Sequence, residues 1–95
     1  MKVVRKYELR AVGGPTEFSM PAGAVVLCAQ RQGDAICLWA LVDPNERTRT
    51  VRAFLAIGTD HVRPDSERLS YIGTVQLQQH VLDGELVFHV FELLP

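Results

Sequence analysis

Both cysteines of the chain and its single tryptophan fall within residues 25–44, VVLCAQRQGDAICLWALVDP, around one Gly-Asp. A thiol pair at this spacing could form a redox disulfide or part of a metal clip, and the loop between them tests both. Gly33-Asp34 suits a two-residue hairpin turn, because glycine reaches positive φ without a Cβ clash. That turn sets Arg31 opposite Ile36, Gln30 opposite Cys37, Cys28 opposite Trp39 and Val26 opposite Leu41. The cysteines are then diagonal neighbours with Cβ atoms roughly 6–8 Å apart, whereas a relaxed disulfide needs about 3.5–4.5 Å. Zinc would need further Cys or His ligands at compact spacing, as in CxxC, and the sequence has none. Cys28, Cys37 and Trp39 therefore read as a packed apolar cluster, completed as a structural core by Phe88 and Phe91. No metal and no cofactor is expected.

The histidines are His61, His80 and His89. His89, within VFHVF, reads as a half-buried, hydrogen-bonded strand residue, whereas His61 stands in a turn-rich loop beside Asp60 and Arg63 and is better placed for a site. No serine sits near a histidine and an aspartate in a nucleophile motif, and GxSxG, HExxH and P-loop patterns are missing, so an enzyme is not expected. In ERTRTVR, period-2 spacing puts Arg47 and Arg49 on one face, with Val51 continuing it and Arg52 on the other. Such a pair could grip a phosphate or a carboxylate through charge-assisted bonds; the alternative is a solvated strand end near Glu46. The candidate ligand- or partner-binding set is Arg47, Arg49, His61, Arg63 and Tyr71, the tyrosine serving as a stacking surface.

These residues must be positioned by strands. Val, Ile, Thr and aromatic residues fall in short runs broken by Gly, Pro, Asn and Asp, and no run has apolar residues at helical spacing. Residues 3–10 alternate as an edge strand, and a short strand covers 17–20. Residues 24–32 and 35–43 form the Gly33-Asp34 hairpin. AICLWALV is apolar on both faces, which places it mid-sheet with both faces covered. In 50–59, Val51, Ala53, Leu55 and Ile57 share a face. GTDHVRPDSERLS is the longest irregular stretch, a usual place for binding residues. A closing hairpin about Asp83-Gly84 pairs His80 with Val87, Gln78 with His89 and Leu77 with Val90. The expectation is an all-β single domain over 1–95: a small antiparallel β-sandwich or partly open barrel of about seven strands built from hairpins.

Ninety-five residues can bury a modest core without staples. Ten basic residues against eleven acidic ones leave a net charge of -1, so there is no whole-molecule pull towards nucleic acid or an anionic membrane. Few aromatics are spare for base stacking, which also disfavours nucleic acid. The first ten residues lack an apolar signal core, and the longest apolar run, Ala35 to Val42, is far short of the roughly 20 residues that span a bilayer.

KYEL at 6–9, MPAGAVVL at 20–27, CLWALVDP at 37–44, IGTDH at 57–61, YIGTVQL at 71–77 and LVFHVFE at 86–92 occur in order. Together they resemble a family of small, functionally uncharacterised phage and prophage proteins, over nearly the whole chain. The resemblance implies a phage-related origin and carries over no catalytic or binding residue. The chain departs from it at Gly58-Thr59-Asp60-His61-Val62, where the family reads GTGHP-like, and at QQHVLDG, which lengthens the final hairpin.

The resulting expectation is a non-enzymatic, phage-encoded binding protein of the host cytoplasm that inhibits host antiviral defence. It would block the surface of a host defence protein, as anti-CRISPR proteins do, or sequester a small nucleotide signal. The alternative is a virion structural or assembly accessory that forms a homo-oligomer through strand edges. A small enzyme using His61 with Asp60, Asp65 or Glu67 ranks below both.

Overall fold

Period-2 alternation becomes strands throughout the computed structural model, which describes residues 1–10, 14–61, 68–78 and 85–95. There are seven: β1 (Val3–Leu9), β2 (Thr16–Pro21), β3 (Val25–Gln32), β4 (Ala35–Val42), β5 (Arg49–Gly58), β6 (Leu69–Gln78) and β7 (Glu85–Leu93). They form a three-stranded sheet, β1-β4-β3, and a four-stranded sheet, β2-β5-β7-β6. Every ladder is antiparallel. The sheets pack as a sandwich and do not close into a barrel. Only β3-β4 and β6-β7 are hairpins; the other connections change sheet or skip a strand.

The first hairpin holds the expected register from Gln32↔Ala35 to Cys28↔Trp39. Gly33 has φ 61 and Asp34 no positive φ, as a type II′ turn requires. Beyond Cys28 a bulge at Leu27 shifts the ladder, so Val26 pairs with Ala40 rather than with Leu41. The bulge keeps Val26 on the buried side and turns Val25 outward.

The second hairpin corrects the expected register more strongly. Leu77 pairs with Leu86, Gln76 with Val87 and Thr74 with His89, four residues away from the Asp83-Gly84 alignment that set Gln78 against His89. An even shift keeps every inward residue inward, so alternation could not have distinguished the two ladders. His80 and the Asp83-Gly84 turn lie outside the described residues, as does Arg63.

Between the sheets, Leu9, Met20, Ile36, Leu38, Val42, Phe54, Val75, Leu77, Phe88 and Val90 form the core. Full burial of a side chain such as Leu38 or Phe54, both 0% exposed, contributes about 1.5–3 kcal/mol. At the β1/β2/β5 corner Tyr7, Phe18 and Phe54 stack at centroid distances of 5.1 and 6.0 Å. The buried Tyr7 hydroxyl has no hydrogen-bond partner among the described residues.

β4 is the central strand of its sheet, but only its Ile36, Leu38, Ala40 and Val42 face meets the opposite sheet. Cys37, Trp39 and Leu41 point away from it. Of the expected core set, Phe88 alone belongs to the inter-sheet cluster. Cys28, Trp39 and Phe91 are half-buried on outer faces, and Cys37 is buried on the outer face of the three-stranded sheet. The reason is the strict two-residue period: once Leu38 and Ala40 face inward, Trp39 cannot. Cys37 is covered by its own sheet. Lys6 and Gln32, from the strands on either side of β4, join Nζ to Oε1 at 2.6 Å.

Candidate binding surfaces

The outer face of the four-stranded sheet carries His89, Thr74 and Tyr71. β5 ends in a turn in which the His61 amide donates to the Gly58 carbonyl at 3.2 Å, with Asp60 at φ 69 in the position that usually favours glycine. A Cβ on Gly58 would lie 2.9 Å from the His61 ring, so a glycine there lets the imidazole fold back over the strand end. Alongside, His89 is half-buried as expected, with Nε2 2.9 Å from Thr59 Oγ1 and Nδ1 3.1 Å from Thr74 Oγ1. Thr74 continues to the Tyr71 hydroxyl at 2.7 Å. Hydroxyls can donate or accept, so this network holds the ring in place whether the imidazole is neutral or protonated.

A shallow depression of about 270 Å³ lies beside it, with Ile57, Leu69 and Phe91 in its lining and Thr59, His61 and His89 on its polar side. His61 and His89 both line this depression, and the hydrogen-bonded chain from Tyr71 through Thr74 and His89 ends at Thr59 rather than at the His61 ring. The sequence did not reveal Thr59 and Thr74 as partners of His89. Thr74 becomes visible only in the true β6–β7 register, which sets it directly opposite His89.

The arginines lie elsewhere. β5 starts at Arg49, so Arg47 belongs to the preceding loop and not to a strand face shared with Arg49. That loop is tied to itself: Asn45 N donates to Asp43 Oδ1 at 3.0 Å, and Thr48 N to Glu46 Oε1 at 3.0 Å. Arg49 lies against β2, its Nη2 donating to the Ser19 carbonyl at 2.6 Å and its Nε to Ser19 Oγ at 3.3 Å. Arg49 and Gly58 are the two ends of the ten-residue β5, roughly 30 Å of extended chain apart. Arg47 and Arg49 therefore do not converge with His61 and Tyr71.

Arg52, on the opposite face of β5, does more. Its Nε and Nη2 grip the Glu92 carboxylate at 2.7 Å each, while Nη1 donates to the Ala24 carbonyl at 2.6 Å, tying β5 and β7 to the β2–β3 turn. The two side chains are 22% and 16% exposed, and the guanidinium carbon lies 5.8 Å from the Phe54 ring centroid. The Glu92 hydrogen bond raises the Arg52 pKa further, against the lowering effect of burial. A charge at an inward strand position next to Phe54 was the sequence signal for such a partner.

This pair also lines a cleft of about 480 Å³ at the seam between β3 and β6, with Val25, Leu27, Ser70, Tyr71 and Ile72. Val25, Leu27 and Tyr71 are half or more exposed, at 50%, 51% and 61%. Among the described residues no group of three or more His, Cys, Asp or Glu side chains could hold a metal ion. No helix among them is long and apolar enough to cross a membrane.

The chain belongs to a domain family of unknown function, DUF7352, whose family model matches residues 1–95. No curated protein matches it, and no solved structure does.

Proposed function

We propose that this DUF7352 domain is a non-enzymatic binding domain that works by occupying a surface of another protein. One observation carries the choice over nucleotide sequestration. Arg47 and Arg49 stand at the opposite end of β5 from His61, and Arg52 is engaged by Glu92 and Ala24, whereas Val25, Leu27 and Tyr71 are half or more exposed at the sheet seam. A nucleotide sponge needs convergent donors for phosphate. A protein-surface blocker needs exposed apolar groups beside free strand edges.

The resemblance to phage and prophage proteins supports placing the partner in an infected bacterial cell, where a host defence protein is the fitting target. The test is affinity capture with the purified domain from phage-infected lysate, alongside mass spectrometry of small molecules released on denaturation. A stoichiometric host protein, retained by the wild type and not by Leu27→Asp, is the expected result. A nucleotide released in stoichiometric amount would overturn it, as would capture of the domain alone in a large homo-oligomer, which favours the assembly role.

A further inference from the structure

β1 is the last strand of the three-stranded sheet, paired on one side only, with β4. Its free edge is rich in positive charge. Residues 1–10 hold four of the ten basic residues, Lys2, Arg5, Lys6 and Arg10, against one of the eleven acidic ones, Glu8. All five are exposed. The only ion pair among the described residues is Arg52–Glu92, so these cations lie beyond salt-bridge distance of any described carboxylate. Lys6 reaches across β4 to Gln32 and Arg10 donates to the Pro15 carbonyl, both neutral acceptors that leave the charge in place. By the register with β4, Arg5 shares the inward side with Tyr7 and Leu9, while Lys6 faces outward with Val4. Lys2 and Arg10, next to the strand at either end, fall on the same outward period as Lys6. A strand laid along this edge would therefore meet cations on both of its faces.

We infer that the free edge of β1 receives an extended acidic segment of the protein partner, added to the β1-β4-β3 sheet as a fourth strand. The inference rests on the protein-binding reading above and names the partner's chemistry. Strand addition supplies main-chain hydrogen bonds along the seven residues of β1. Directly opposed side chains then sit about 4.5–5.5 Å apart, close enough for Asp or Glu to answer the cations. The same charge argues against the other occupants. A second copy paired through β1 would set one basic strip against another, which is how charged edge strands resist self-pairing. A nucleic-acid strand would match the charge but not the backbone ladder, and the one aromatic of β1, Tyr7, is turned in against Phe18 rather than out for base stacking. On the outer face Val4 pairs with Leu41 and Leu41 with Val25, a row that runs from this edge to the seam side of β3. Two strand spacings, about 10 Å, separate its ends, so one partner can hold both.

The experiment pans a displayed library of short random linear peptides against the full domain, then maps the most enriched peptide by amide-exchange NMR. Enriched sequences should alternate Asp or Glu with β-branched residues, and protection should rise along residues 3–9. Reversing two exposed charges, Lys2→Glu with Arg5→Glu, should weaken the peptide about tenfold or more with circular dichroism unchanged. Added salt should weaken the wild-type complex in the same direction. Arg5→Lys, which keeps the charge, should bind like the wild type. Enrichment of uncharged or basic peptides, protection confined to other strands, or no enrichment overturns the edge assignment. So does tighter binding of an oligothymidylate, or a dimer whose protection maps to β1. A host protein captured equally by the wild type and by the doubly reversed variant also overturns it, yet leaves the protein-binding reading standing.

Discussion

The two ends of the β3–β6 seam are built from the same strands and behave as opposites. At the closed end, Ala29 is buried and pairs with fully buried Leu38, and a Cβ added at Gly73 would come into ordinary contact with the Ala29 backbone, 3.6 Å from its carbonyl oxygen. At the open end the bulges turn Val25, Leu27 and Tyr71 outward, and a hydrogen-bonded ion pair takes the place of apolar packing. Small residues close a sandwich; bulges and a charge pair hold it ajar. The closed end accounts for stability and the open end for whatever the domain grasps.

The largest effect expected is at the closed end. Leu38→Ala should cost about 2–5 kcal/mol, measured by denaturant unfolding, because the site is fully enclosed and cannot collapse around the missing methyls. A cost under about 1 kcal/mol would mean that the seam is loose there as well. Next comes the pair at the base of the cleft. Glu92→Gln should cost about 1–3 kcal/mol by leaving the Arg52 guanidinium partly buried without its counter-charge. If Glu92→Gln melts like the wild type, the open end is held by something other than this pair.

Smaller changes sharpen the contrast on the outer faces. Cys28→Ala with Cys37→Ala should lower stability by about 1–2 kcal/mol through lost packing, equally with and without reductant, since both thiols are free. Burial, helped by Glu8 and opposed by Lys6, holds the Cys37 thiol above its ordinary pKa. A raised pKa means the contribution is intact below the unfolded-state value and declines as pH climbs through the alkaline range towards the folded-state value. Unfolding series at neutral and alkaline pH should therefore show a decline that Cys37→Ala reduces. The smallest stability change belongs to Leu27→Asp, within about 0.5 kcal/mol, even though the same substitution should abolish capture of the protein partner. Large binding loss with negligible melting shift is the signature that separates the two ends.

Much of this was legible beforehand. Short alternating runs with Gly and Pro breaks gave the seven-strand sandwich, and Gly33-Asp34 placed Cys28 against Trp39 and kept the thiols apart. The candidate site was less legible, for identifiable reasons. His61 and Tyr71 both stood in the candidate set, but the network that ties Tyr71 to His89 through Thr74 depends on a ladder four residues away from the one Asp83-Gly84 suggested. The arginine pair was read as one strand face, but β5 begins only at Arg49.

What the sequence by itself determined is whatever a local rule can carry: strand periodicity, the turn at Gly33, and the spacing of two cysteines across it. Only the tertiary structure decided which face of AICLWALV is the inner one, that Arg52 reaches Glu92 forty positions away, and that two bulges face each other across a cleft. The physical reason is that side-chain period in a strand is two and has no sign. Alternation shows that one face differs from the other, and the choice between them waits for a second sheet to pack against.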